Sequence, residues 1–440
     1  MAELPPNPRR PRRVQALFVV ALLIPVLAGI APYVLPGTPL PVLISPVSHF
    51  PPTSLAFAAQ TLGPAPGPRP RIANVRIVDL DRDGRPDVLA CDAERNRVLW
   101  YRTLPSGSFE EIPLGDEVSA PVAAVPVDLD GDGDLDIVAA VLGNVLPTDA
   151  RIGRVVWLEN RNGRYINRVL LDNVRRVSDV QPGDFDGDGD IDLAVAVFGY
   201  NHGEILWLEN KGGGQFRDHL LLATDGPSHV PVADFNGDGK PDIAALVSQE
   251  HEEVWLFENA GKGAFTPRRI FESANFDLGS VGLVVADLDH DAKPDLLLVA
   301  GDNLEVNHHY PQPWHGCLWL RNGGAGAFDA RRLASVGGVY AAAVADFDGD
   351  GDDDIVLACM FNDWSRPGAA SLVLLENDGR QNFTVTTLAD RPIHLATVAA
   401  GDLNDDGKPD IVAGALNLYS AAAERTGRLT LWLQTTGGRP

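Results

Sequence analysis

The chain has 440 residues, enough for two or three average domains or for one large repeat array, so length alone does not choose between them. Its 44 glycines and 34 prolines, with 8 tryptophans against 2 methionines and no long amphipathic helical pattern, exclude a helical bundle and favour a turn-rich β protein. The formal net charge of −24 at pH 7 would repel a phosphate backbone, which excludes nucleic acid as a partner and raises the question of what neutralises so many acids.

Residues 1–13 form a basic N-terminus in which Arg9, Arg10, Arg12 and Arg13 precede Val14 to Leu35, 22 residues without a charge. That length spans a bilayer, and the basic flank assigns the N-terminus to the cytoplasm and the rest to the extracytoplasmic (periplasmic or extracellular) side. The competing reading is a signal peptide. Its apolar core is usually only about 7–15 residues long, and here Pro32 directly follows the small-residue cleavage point Gly29-x-Ala31. Residues 14–35 are therefore expected to be a transmembrane anchor or an uncleaved signal. Residues 36–53 are proline-rich and read as an extended stalk. Cys91, Cys317 and Cys359 form no disulfide framework or haem-attachment motif and are expected as small core residues.

From residue 54 to 440 the chain repeats itself. Seven acidic nonapeptides begin at Asp79, Asp128, Asp184, Asp234, Asp287, Asp346 and Asp402, spaced by 49, 56, 50, 53, 59 and 56 residues. Each lies between an alternating apolar stretch and a buried-type apolar run, so two strands flank the loop. A third strand follows, five times containing a Trp after Val or Leu and before Leu, as in Val156-Trp157-Leu158. It mostly ends in Asn and glycines, the chemistry of a tight turn. A fourth strand pairs an aromatic with an aliphatic residue five positions on: Phe109/Leu114, Tyr165/Leu170, Phe216/Leu221, Phe265/Ile270, Phe328/Leu333 and Phe383/Leu388. The seventh such pair, Phe57/Leu62, stands upstream of the first loop. A unit that begins with its last strand and ends with its third is completed only if the ends meet, so the expected fold is all-β: a seven-bladed β-propeller closed by an N-terminal strand, preceded by one transmembrane helix.

Within each loop, oxygen-bearing side chains at positions 1, 3, 5 and 9 suit a hard cation with six to eight oxygen ligands. The expected ligands are Asp79, Asp81, Asp83 and Asp87; Asp128, Asp130, Asp132 and Asp136; Asp184, Asp186, Asp188 and Asp192; Asp234, Asn236, Asp238 and Asp242; Asp287, Asp289, Asp291 and Asp295; Asp346, Asp348, Asp350 and Asp354; and Asp402, Asn404, Asp406 and Asp410. Up to seven structural Ca2+ ions would bring the net charge from −24 to −10. An EF-hand starts alike but needs a Glu at position 12 and flanking helices, and here position 12 is apolar. The Asp287 loop is expected to be weakest, because Ala292 replaces the sixth-position glycine. The pattern resembles the FG-GAP or VCBS repeat, the calcium-binding blade also found in the integrin alpha-subunit propeller. That resemblance implies a calcium-stabilised, exported interaction propeller and no particular reaction.

Strand connectivity divides the ring into two faces. The acidic loops and the Asn/Gly turns share one face, and the second-to-third connections and blade crossings share the other. The second face carries the irregular sequence, where binding usually resides. Its candidate docking residues are Tyr200, His202, His229, His251, His308, His309, Trp314, His315, Trp364, His394 and Tyr419. No nucleophile elbow, zinc-protease motif or phosphate loop is present, so no catalytic residue is assigned. The sequence thus points to a non-enzymatic, membrane-anchored propeller that docks another protein as an accessory subunit. The alternative is a carbohydrate-binding or polysaccharide-cleaving propeller.

Overall fold

Alternating apolar runs broken at regular intervals by left-handed loops can bury themselves only as small sheets packed face to face. The computed structural model describes residues 49–64, 70–146, 148–304, 311–324, 326–418 and 427–435, and among them there are strands and no helix. The predicted membrane segment Val14–Leu35, with His308, His309 and Tyr419, lies outside those residues.

Strand β1 (Phe57–Leu62) precedes the first full blade. Blade 1 is β2 (Ile72–Val78), β3 (Asp87–Asp92), β4 (Arg97–Thr103) and β5 (Phe109–Leu114). Blade 2 is β6 (Pro121–Val127), β7 (Asp136–Val141), β8 (Gly153–Arg161) and β9 (Arg164–Val174). Blade 3 is β10 (Arg176–Gly183), β11 (Asp192–Phe198), β12 (Gly203–Asn210) and β13 (Phe216–Thr224). In blade 4 the inner strand is split at Pro231 into β14 (Pro227–His229) and β15 (Val232–Ala233), followed by β16 (Asp242–Val247), β17 (Glu253–Asn259) and β18 (Phe265–Glu272). Blade 5 is β19 (Ser280–Ala286), β20 (Asp295–Ala300), β21 (Gly316–Asn322) and β22 (Phe328–Ala334). Blade 6 is β23 (Val339–Ala345), β24 (Asp354–Cys359), β25 (Leu372–Asn377) and β26 (Phe383–Ala389). Blade 7 has β27 (Leu395–Gly401), β28 (Asp410–Ala415) and β29 (Leu429–Gln434), and its outer strand is β1.

The displaced strand closes the ring as the repeat requires. β1 runs antiparallel to β29 in register from Phe57 opposite Gln434 to Leu62 opposite Leu429. Each second strand is buried along its length, except for the half-buried Phe198 that ends β11, whereas the inner strands present a free edge and so tolerate Pro126 and Pro182. The apolar core is divided into wedges, one between each pair of adjacent blades. The three cysteines are buried and unpaired within these wedges, as expected.

Two features were not foreseen. The last residues of the predicted stalk lie on the ring: Thr387 N–H of β26 donates to Pro51 O at 2.7 Å and Thr53 N–H donates to Thr387 O at 3.0 Å, while Phe50 packs on the wedge between blades 5 and 6. A buried charged residue also locks the seam. Arg428, 4% exposed at the entrance to β29, donates to Asp92 of blade 1 from Nη2 (2.6 Å) and Nε (3.1 Å). Its Nη1 reaches the Tyr101 hydroxyl at 2.7 Å and Glu111 at 3.2 Å. Asp92 is 1% exposed, so removing the guanidinium leaves a buried carboxylate without its counter-charge. Arg428→Ala is expected to cost about 3–5 kcal/mol in denaturant unfolding, and the double variant Arg428→Met, Asp92→Leu is expected to recover much of it.

Candidate metal centres

Each acidic loop has nine positions, counted from its leading aspartate. Positions four and six adopt left-handed backbone, where a Cβ crowds its own peptide. Glycine meets this need at position six in six loops, with φ from 80° at Gly407 to 96° at Gly133 and Gly189. Blade 5 is the exception, holding His290 at φ 53° and Ala292 at φ 64°. Ala292 is therefore held in a backbone conformation that strains an alanine.

The leading aspartate organises the turn. Its Oδ2 accepts the N–H of position six in every loop, at distances from 2.7 Å (Gly239 to Asp234) to 3.2 Å (Gly189 to Asp184). The ninth-position aspartate is withdrawn from water, at 0–1% exposure in all seven blades. Its Oδ2 accepts the N–H of position two at 3.0–3.3 Å. Its Oδ1 accepts an N–H at the end of the third strand at 2.6–2.8 Å. In blade 5 the Trp319 indole N–H adds a bond to Asp295 at 2.9 Å.

Carboxylate oxygens converge to within 4.8 Å of one another in five loops: Asp79, Asp81 and Asp87; Asp128, Asp130 and Asp132; Asp184, Asp186 and Asp192; Asp287, Asp289 and Asp291; Asp346, Asp348 and Asp354. In the loops of blades 4 and 7 the third position is the amide of Asn236 or Asn404. The donor set is all oxygen, and Asp128 Oδ1 is buried with no hydrogen-bond donor. Burial pushes Asp130, Asp186 and Asp348 above the usual carboxylate range, and neighbouring loop carboxylates add to the shift. A hard divalent cation fits this environment.

The second loop residue, overlooked in the sequence reading, joins the site to the core. Leu80, Leu129, Phe185, Phe235, Leu288, Phe347 and Leu403 are each at most 4% exposed and fill the wedge against the following blade. Where this plug is Phe, an amide of the next blade also bonds its carbonyl: Asn259 to Phe185 (3.0 Å), Asn322 to Phe235 (2.8 Å) and Gln434 to Phe347 (2.8 Å). The recurrence of Leu or Phe beside each leading Asp was the available signal.

On the opposite face the structure separates the predicted docking residues. His202 and His251 are exposed. Trp314 is half-buried, with its indole N–H donating to Asp277 O. Tyr200 is half-buried, its ring 5.3 Å from the Arg176 guanidinium. His229 is half-buried on β14, and His394 packs at 5.7 Å from Trp364 with its Nδ1 3.1 Å from Met360 O. His315 is corrected from a surface residue to an internal latch. It is 1% exposed, and its Nδ1 accepts N–H groups from Gln312 (3.2 Å) and from Gly338 of the next blade (3.1 Å). Burial, helped by Arg332, pushes its pKa down to about 4, which keeps the imidazole neutral and able to accept. Asn96 and Glu252 hold the same place before the third strand and also accept N–H groups of the next crossing, from Ala120 (2.9 Å) and from Gly279 (2.9 Å) and Ser280 (3.2 Å). Among the described residues no histidine joins a cluster of three potential metal ligands.

A family model described as an FG-GAP-like repeat matches residues 56–139, 184–245 and 346–413, and one described as an FG-GAP repeat matches 395–432. Together they span more than half of the chain, and blade 5 lies outside both. Two crystal structures of BBS1N in complex with ARL6DN, one soaked with mercury and one with lead, share the fold with TM-scores of 0.52 and 0.50. Each is 13% identical in sequence and covers 87% of this chain and 98% of that chain. No curated protein matches by sequence.

The loops make two predictions. Ala292→Gly relieves a left-handed alanine and is expected to raise the stability of the protein in chelator by about 1 kcal/mol in denaturant unfolding. The second concerns pH. Burial pushes Asp136, Asp192, Asp242, Asp295, Asp354 and Asp410 up to about 6, whereas an unfolded aspartate titrates near ~3.9. Between those values the folded chain binds protons that the unfolded chain does not, so stability rises as pH falls through 6 towards 4. His315, lowered to about 4, and His229, also lowered by burial, act in the opposite direction, as two groups against these six and Glu252, which burial raises to about 7. In the presence of a chelator the protein is expected to melt at a higher temperature at pH 5.5 than at pH 7.5, and a fall would contradict this account of the buried aspartates.

Proposed function

The chain belongs to the FG-GAP repeat family, and from that premise we propose a calcium-stabilised, non-enzymatic interaction propeller that docks a protein through the face opposite its acidic loops. Residues 14–35 anchor it in a membrane, and residues 54–440 lie on the extracytoplasmic side, where the ring acts as an accessory subunit of a membrane complex. The uncharged run behind Arg9, Arg10, Arg12 and Arg13 supports this topology.

The observation that carries the docking reading is the contrast between the faces. One face repeats the same nine-residue loop seven times. The other exposes apolar side chains from unequal connections: Leu146 (50% exposed) and Ile152 (39%) in blade 2, and Phe276 (66%) in the crossing to blade 5. Phe276 stands edge-on to His251 at 6.4 Å, next to the Asp277 carbonyl that holds Trp314. Exposed apolar and aromatic groups beside polar ones are characteristic of protein interfaces. The similar ring of BBS1N is itself in complex with a protein, ARL6DN, which supports the same use of this fold.

Two experiments test the reading. Calcium at one hundred times its Kd stabilises by about 2.7 kcal/mol per site, so chelation is expected to lower Tm by on the order of 10 °C; an unchanged melting curve removes calcium from the proposal. For docking, a photo-crosslinking residue replaces Phe276 or, on the acidic-loop face, Lys262 in the full chain in its native membrane. A protein adduct from position 276 and none from 262 is expected, and the reverse pattern rejects the assigned face.

A further inference from the structure

We propose that the loops of blades 1 and 5 have replaced the divalent cation with arginine, so that only the other five loops take Ca2+. This inference rests on the calcium reading above.

The penultimate residue of the third strand decides the matter. In blade 1 it is Arg102, whose Nη2 lies 2.7 Å from Asp81 and 3.9 Å from Asp83. In blade 5 it is Arg321, 2.5 Å from Asp289 through Nε and 3.7 Å from Asp291 through Nη2. Each guanidinium thus lies against the third- and fifth-position carboxylates that would hold the metal. The corresponding place before the end of the third strand is Glu159, Glu209, Glu258 and Glu376 in blades 2, 3, 4 and 6, and Leu433 in blade 7. A carboxylate there adds to the negative potential that attracts a cation, and a guanidinium cancels it.

The same two loops carry further counter-charge. Arg85 pairs with Asp83, and Lys293 Nζ lies 2.6 Å from Asp291. Blade 4 has a comparable lysine pair, Lys240 with Asp238 at 2.7 Å, but no third-strand cation. Like the blade 7 loop, which has Asp405 there, the two loops lack glycine at position four. There Arg82 donates to Gly133 O of the next loop at 2.5 Å, and His290 lies 3.4 Å from Asp353 of the next loop. Convergence of the carboxylates does not argue otherwise, because in blades 1 and 5 they converge beside a fixed positive charge. A divalent ion needs six to eight oxygens, and a guanidinium held against the third- and fifth-position carboxylates repels the ion from the place where those oxygens converge.

The test is calcium stoichiometry on the full chain, stripped and then dialysed against saturating calcium at high ionic strength, read by elemental analysis. Five ions per chain are expected. Seven would overturn this inference alone, and none would overturn the calcium reading with it. Asp130→Asn and Asp186→Asn are each expected to lower the count by one, whereas Asp81→Asn and Asp289→Asn leave it at five; a loss in either of the latter pair also overturns the inference. Because the wild-type count needs no variant, misfolding of a substituted chain does not protect the proposal.

Discussion

A carboxylate removed from water ties together three parts of every blade. The ninth-position aspartate accepts one N–H from the second loop residue and another from the end of the third strand, while its own backbone begins the second strand. Three parts of the blade are thereby held at one point, and the loop can close only if the first three strands are already in register. An ionised group so deeply buried is costly unless something opposes its charge. Backbone N–H groups do part of that work, and a cation bound by the same loop would do the rest. The loop and the sheet are therefore one cooperative unit.

The second loop residue extends this unit to the neighbouring blade. Its N–H is bound by the ninth-position carboxylate, so its side chain is aimed into the wedge that the next blade must fill. Where that side chain is Phe185, Phe235 or Phe347, the next blade answers with an amide to its carbonyl. Loop geometry thus controls contacts between blades as well as within them. At the seam between blades 7 and 1 the plug is Leu403, and the extra hold comes instead from Arg428 on Asp92. A ring closed by a single strand is most exposed to opening there, and a buried ion pair with two hydrogen bonds to one carboxylate oxygen is directional in a way that apolar packing is not.

Local patterns made the fold legible. Seven loops, the apolar runs beside them and the misplaced Phe57/Leu62 pair are each read within a few residues, and together they imply a closed ring. The loss of the sixth-position glycine at Ala292 was legible for the same reason. What escaped depends on residues far apart in the chain. Arg428 meets Asp92 across 336 positions, and no local signal distinguishes it from any loop arginine. His315 looks like its exposed counterpart His202, since both immediately precede a glycine that opens the third strand. Only the approach of Gly338 from the next blade makes one of them an internal acceptor.

The acidity that opened the problem now has a physical distribution. Carboxylates gathered at one end of a rigid ring must be neutralised, and the two means proposed above, an intramolecular arginine and a bound ion, cannot be distinguished by composition. An intramolecular arginine acts at fixed strength whatever the surroundings, whereas a bound ion acts only when the ion is present. Loops of the first kind, in blades 1 and 5, would keep their wedges closed at any calcium level. The others would respond to the medium, and the ring would soften in arcs between two permanent fasteners. The opposite face, built from connections that no loop aspartate organises, is free of this constraint and can vary in shape without disturbing closure.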